Sequence, residues 1–227
     1  MSILENKRIL VTRSEKQNES IAQKLRDAGA LPALFPCLEN HLRAYTPPTK
    51  HYDWVIYTSS NAYQALPHTQ VQSQNVAAVG LSTIPQGLAS LIPDSTFTSF
   101  ELAKRFASFV PQRILLPHGD RSSEELLHAL RAQGHQVDPI CVYSTQIPQH
   151  PTPFPNETLD AILFFSPSAA IHFLALTGSN AQDWKLPIAC LGPTTFQAAQ
   201  QLRYPNCLKS SKQSIDGIIQ RLEAYFR

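Results

Sequence analysis

Short hydroxyl-rich turns, placed where an apolar run gives way to a helical pattern, carry most of the candidate chemistry in this chain. Ser166-Pro167-Ser168 follows the apolar run 161–165 and precedes Ala170, Phe173 and Leu174 at helical spacing. That order predicts a buried strand, a tight turn and a helix start. Thr58-Ser59-Ser60 stands in the same relation to the apolar residues 54–57 and to a helix from Asn61. A serine N-cap leaves free backbone N–H groups and the positive end of the helix facing the strand's C-terminal edge, which suits a carboxylate or a phosphate. Further corners of this kind are Gly80 with Ser82 and Thr83, the loop holding His118, Gly119 and Arg121, Gly192 with Thr194 and Thr195, and Thr12-Arg13. Any one of these hydroxyls could do no more than cap a helix. Their recurrence in both halves of the chain points the set toward binding anions.

Other chemistries find little support. Neither G-x-S-x-G nor G-x-x-x-x-G-K-[ST] occurs, so the nucleophile elbow and the phosphate-cradling loop are both missing. The eight histidines are dispersed, and the four cysteines, Cys37, Cys141, Cys190 and Cys207, lack a C-x-x-C pair. They read as reduced thiols, and no metal site is expected. Asp120 fits a turn position before Arg121. Tyr143 lies in the β-prone stretch 140–145, where pleat parity decides whether its phenol faces the site or turns away. A site of amides and hydroxyls, with no metal or cofactor, suits a polycarboxylate whose reactivity is largely its own; the protein would then supply shape and electrostatics.

These corners need parallel sheets to position them. Residues 8–12 read as a strand, 14–28 as a helix with Ile21, Ala22, Leu25 and Ala28 on one face, Gly29 as its stop, and 31–36 as a second strand. This is a βαβ unit and implies a parallel sheet. The central segment offers strands at 54–57 and 76–79, helices from Asn61, from about Ile84 and over 100–109, a strand at 113–117, and a helix over 124–132 stopped by Gly134. The last helix runs over about 214–225, with Ile215, Ile218, Ile219 and Leu222 as its buried stripe. The Ser-turn unit followed by a strand-Gly-x-(Ser/Thr)-Thr unit occurs in each half, which implies an internal duplication. The expected fold is α/β: two similar doubly wound parallel-sheet domains, one inserted in the other, joined by a two-stranded β-ladder made by residues 38–45 and 140–145. Residues 1–37 and 147–227 would form the discontinuous domain, and 38–146 the inserted one with both linker strands. The helix-start corners would face each other across a shared cleft.

Composition sets the outer limits. The 227 residues are 43% hydrophobic and 16% charged, with a net charge of +2, which is an ordinary globular balance. No Lys/Arg cluster is dense enough to track a run of phosphates, so a nucleic-acid partner is not expected. No apolar run approaches a membrane span, and residues 1–8 lack a signal-peptide pattern. A cytoplasmic monomer that binds a small molecule is the expectation.

The order of these motifs resembles the uroporphyrinogen-III synthase family. The likeness runs through Ile9 to Arg13, the Tyr57 to Ala62 turn, Ala78-Val79-Gly80 with Thr83, the Gly119 loop leading into Glu125, Gly134 followed by Val142-Tyr143, Phe165 to Ser168, and Leu191 to Thr195. It implies a lyase that closes hydroxymethylbilane to uroporphyrinogen III, losing water and inverting ring D through a spiro-pyrrolenine, with no cofactor. By the same resemblance Tyr143 matches the tyrosine that assists hydroxyl departure, a task suited to a phenol that keeps its proton at neutral pH. Thr194 and Thr195 match paired threonines, and Ser59, Ser60, Ser82, Thr83, Ser166 and Ser168 match turns that meet the substrate's acetates and propionates. Ser14 stands where many bacterial members carry proline. Pro117-His118 replaces an Arg-containing pair, with His118 and Arg121 as substitutes. The alternative is a non-catalytic two-lobed binding protein for an anionic small molecule.

Overall fold

The computed structural model describes residues 2–81, 83–94 and 98–227. The chain forms two compact units, one of Met1–Glu39 with Gln146–Arg227 and one of Asn40–Thr145. Each unit is built on its own predominantly parallel sheet.

In the discontinuous unit, β1 (Arg8–Val11), β2 (Leu31–Leu34), β8 (Ala161–Phe164), β9 (Ile188–Cys190) and β10 (Cys207–Lys209) lie in the order β10-β9-β8-β1-β2. All neighbouring pairs are parallel. Parallel neighbours need crossovers, and these are α1 (Glu15–Asp27), α5 (Pro167–Thr177) and α6 (Pro193–Gln201), with α7 (Ile215–Phe226) closing the chain. Both sheet faces are covered. Ile9, Val11, Ala161 and Leu163 pack with Ile21, Leu25, Ile218 and Leu222 on one side. Leu10, Ile162 and Phe164 pack with Phe173, Ala199 and Tyr204 on the other. The alternation follows from the two-residue period of a strand, and two buried faces explain why the central strands β8 and β9 are apolar throughout. Gly29 ends α1 with φ +83°, a left-handed position that a residue with Cβ adopts at a cost.

In the inserted unit, β3 (Glu39–Leu42), β4 (Tyr52–Tyr57), β5 (Ser73–Ala78), β6 (Arg113–Gly119) and β7 (Gln136–Gln146) take the order β3-β7-β6-β4-β5. The β4–β5, β4–β6 and β6–β7 pairs are parallel. The helices are α2 (Ser60–Ala65), α3 (Ser99–Phe106) and α4 (Glu125–Ala132). Val55, Tyr57, Val76 and Leu115 face Ala62 and Leu66, whereas Trp54, Ile56, Ile114 and Leu116 face Leu102, Phe106, Leu126 and Leu130. The two segments expected to form the linking ladder are neighbours in this sheet, and the Arg43 N–H donates to the Val142 carbonyl at 3.0 Å.

One expected element is not formed. Residues 83–90 run as turns rather than the helix expected from Ile84. Pro85 removes a donor, Gly87 sits at φ +82°, and the segment instead bridges β5 through Ala77 and Leu91. The short strand β10 had no counterpart in the sequence reading; with three residues it offers no period to detect.

Gly217 in α7 is a sensitive point of the discontinuous unit. A Cβ there would lie 2.5 Å from the Lys212 carbonyl oxygen and 2.8 Å from Ser210 Oγ. Gly217→Ala is therefore expected to destabilise the protein by about 1–3 kcal/mol, read as a lowered melting temperature; an unchanged melting curve would refute the crowding.

Candidate active site

Each sheet reverses its winding direction beside its first parallel strand: between β1 and β8 in one unit, and between β4 and β6 in the other. In open parallel sheets such a switch point leaves a crevice at the C-terminal strand ends. Most of the sequence-derived candidates fall at these ends.

In the inserted unit, β4 runs out at Tyr57, and Ser59 takes an extended backbone as the N-cap of α2. Its Oγ accepts from the Ala62 N–H at 3.2 Å. β6 ends at Gly119, and there the β6–β7 register slips: His118 pairs with Cys141 but Gly119 pairs with Tyr143. This β-bulge places Val142 and Tyr143 in the same buried cluster, although neighbouring strand residues otherwise face opposite ways. The phenol of Tyr143 consequently crosses over Gly119, where a Cβ would sit 2.5 Å from Cζ and 2.7 Å from the hydroxyl oxygen. The hydroxyl reaches Ser59 Oγ at 3.2 Å. Ser59, Gly119 and Tyr143, chosen separately from the sequence, thus form one contact.

The loop after β6 is braced from within. The Gly119 N–H donates to Ser122 Oγ at 3.1 Å, the Asp120 N–H donates to the Tyr143 carbonyl at 3.0 Å, and Asp120 Oδ1 accepts from the Thr145 N–H at 3.0 Å. His118 Nδ1 lies 2.8 Å from the Gly119 carbonyl. A carbonyl only accepts, so that nitrogen carries the proton. Arg121 is exposed at the loop tip and Thr58 and Ser60 are half-buried. After β5, Thr83 Oγ1 accepts from the Gly80 N–H at 3.2 Å, closing that turn on itself. Ser82 lies outside the described residues.

In the discontinuous unit, the fully buried Thr12 donates its hydroxyl to the Leu163 carbonyl at 2.6 Å and so ties the end of β1 to β8. Arg13 follows. Its Nε donates to Gln17 Oε1 at 2.6 Å, and its guanidinium stands 5.5 Å from the centre of the Phe165 ring. Burial lowers its pKa below the ordinary guanidinium value. Among the described residues it has no carboxylate partner. Beside it, Ser166 Oγ caps α5 by accepting from the Ala169 N–H at 3.3 Å, with Pro167 opening the helix and Ser168 half-buried next to it. One strand further along, Gly192 is the N-cap of α6 and makes no side-chain cap bond; Thr194 is exposed and Thr195 buried.

The family model described as uroporphyrinogen-III synthase HemD matches residues 19–220. The chain belongs to the uroporphyrinogen-III synthase family. It is 28% identical to the uroporphyrinogen-III synthase of Synechococcus elongatus, over 97% of this chain and 96% of that protein. It is 25% identical to the porphyrin biosynthesis protein HemD of Ruminiclostridium josui, over 95% of this chain and 48% of that longer protein. Among solved structures, the uroporphyrinogen-III synthetase of Helicobacter pylori superposes with a TM-score of 0.66 at 17% identity, covering 97% of this chain and all (100%) of that one. A Thermus thermophilus uroporphyrinogen III synthase mutant gives 0.55 at 15% identity, covering 96% and 98%. These two likenesses are of fold. Family membership makes the chain an enzyme of tetrapyrrole biosynthesis that acts on a small-molecule substrate.

Seen as a member of the uroporphyrinogen-III synthase family, the chain holds neighbours of the site that the sequence reading missed. Gln17 braces Arg13, a link whose only signal is the i, i+4 spacing. Ser122 and Gln213, the latter packed against Gly192, gave none, and Phe165 entered the family likeness without its place beside Arg13. Thr12→Val removes the tie between β1 and β8 at nearly constant volume. A loss of about 1 kcal/mol in denaturant unfolding is expected; a fully retained midpoint would mean that the tie contributes nothing.

Proposed function

We propose that this uroporphyrinogen-III synthase family member closes hydroxymethylbilane to uroporphyrinogen III with Tyr143 as the proton donor. The observation that carries the assignment is the Tyr143 phenol, held against Ser59 over a glycine at the switch point of the inserted unit's sheet. Tyr143 gives its proton to the hydroxyl on the ring A side of the chain, and water leaves as the ring A nitrogen pushes electrons into an azafulvene. The substituted carbon of ring D attacks this electrophile and forms the spiro-pyrrolenine. The bond between ring D and its original bridge then breaks, that bridge reattaches at the free α-carbon of ring D, and loss of the proton there restores the pyrrole and returns a proton to the phenolate. One water is lost and nothing is oxidised or reduced, so the sequence needs no electron carrier.

The other corners take the substrate's carboxylates in this reading. Arg13 supports it most, as a half-buried guanidinium facing an aromatic ring and an amide rather than an acid. Thr12 acts through the strand tie. Ser60, Gly80, Thr83, His118, Gly119, Arg121, Ser166, Ser168, Gly192, Thr194 and Thr195 line the strand-end loops that would supply amides and hydroxyls. Several hydroxyls are already engaged in capping, so backbone N–H groups would do much of the anion binding. We further infer a cytoplasmic monomer, since the substrate is a diffusible polyacid and each unit carries its own core.

Isomer analysis tests the reading. The pure protein, given freshly made hydroxymethylbilane, is expected to yield the type III product faster than spontaneous closure, and Tyr143→Phe is expected to lower turnover by roughly 10²-fold or more, within the range of general-acid catalysis. Type I product alone, at the spontaneous rate, would remove the function; wild-type turnover in Tyr143→Phe would remove the role of the phenol.

A further inference from the structure

The tyrosines of this chain differ in what their hydroxyls face. Tyr57 donates to the Leu66 carbonyl at 2.8 Å, Tyr45 to the Ala65 carbonyl at 3.2 Å, and Tyr204 to the Ala170 carbonyl at 3.1 Å. Tyr52 donates to the Asp138 carboxylate at 3.1 Å. Carbonyls and carboxylates only accept, so each of these phenols has its proton committed. Tyr143 is different: its partner is the Ser59 hydroxyl, which can give a proton as well as take one.

The direction of that hydrogen bond is biased by what Ser59 does elsewhere. Its Oγ already accepts from the Ala62 N–H at 3.2 Å. Accepting there occupies a lone pair, leaves the Ser59 proton available, and polarises the O–H so that it donates more strongly. With Ser59 donating to Tyr143 Oη, the chain of donors runs from the Ala62 amide through Ser59 to the phenol, and the phenol's own proton is the one left unspent. We infer that Ser59 is a positioning residue for the ring closure: it donates to Tyr143 Oη, aims the phenolic proton at the departing hydroxyl, and stabilises the oxygen as that proton leaves. Gly119 makes this possible, because any Cβ would occupy the space of the ring. The inference rests on the reading of Tyr143 as the proton donor, and it moves Ser59 from a carboxylate contact to a partner of the phenol.

Steady-state kinetics with hydroxymethylbilane on wild type, Ser59→Ala, Ser59→Thr, Ser59→Asp, Tyr143→Phe and the Ser59→Ala/Tyr143→Phe double variant test it. Ser59→Ala is expected to lower kcat by roughly tenfold, a part of what a general acid supplies, with KM unchanged. Ser59→Thr keeps a donor and restores most of kcat. Ser59→Asp keeps an acceptor for the Ala62 amide but has no proton to give, so the helix start is retained while kcat stays low; this variant guards against a loss caused by fraying of α2. In the Tyr143→Phe background, Ser59→Ala is expected to add no further loss, since the pair acts as a unit. Independent, multiplying losses, a raised KM at full kcat, a Thr variant as slow as Ala, or a fully active Asp variant would each overturn the positioning role while leaving Tyr143 as donor. Full activity in Tyr143→Phe would overturn both.

Discussion

The site of the inserted unit depends on an approach that only a glycine allows. Where β6 ends, the Gly119 backbone runs under the Tyr143 ring so closely that a Cβ would overlap Cζ at 2.5 Å. Two other features meet this requirement. The bulge in β7 supplies an extra residue, Val142, and so turns Tyr143 into the same cluster as its neighbour. The bracing of residues 118–122 by Ser122, Asp120 and the Tyr143 carbonyl then keeps the glycine from drifting. Held from both strands, the phenol has little rotamer freedom left, which is the kind of order that the proposed proton transfer would need.

The hydroxyl-rich corners have a more mixed role than their composition suggests. Ser59 and Ser166 cap helices, Thr83 closes its own turn, and Thr12 ties two strands. In the proposed reading a side chain used in this way would still serve an anion site, because it fixes a loop at a strand end whose backbone N–H groups could then bind. Arg13 brings the full charge. Its position over Phe165, with Gln17 holding Nε, restricts the guanidinium, and burial lowers its pKa below the ordinary value.

The parts of this structure that repeat with a clear period could be read in advance. Short apolar strands such as Arg8–Val11, the Ile21-Leu25 stripe of α1 and the stop at Gly29 follow from local preferences that the tertiary structure does not override. The Ser-turn corners were visible for the same reason, since N-caps have strong residue preferences. Three things were not legible. The helix expected from Ile84 fails because Pro85 and Gly87 outweigh a weak apolar pattern, and a bridge to β5 offers the segment other hydrogen bonds. The direction of Tyr143 depends on a bulge, which shifts parity by one residue and leaves no mark in the sequence of β7. The contact of Ser59 with Tyr143 joins residues 84 positions apart, and only the strand order brings them side by side. The family likeness implies a role for a tyrosine at this position, and the structure shows what holds it.

The measurement closest to the centre of this account is a crystal structure of Gly119→Ala. The added methyl is expected to drive the Tyr143 ring off its place, so that its hydroxyl no longer lies within hydrogen-bonding distance of Ser59 Oγ, while the sheet around it stays intact. A ring found in its original position, with the 3.2 Å contact to Ser59 preserved, would contradict the claim that a bare backbone at residue 119 sets the phenol.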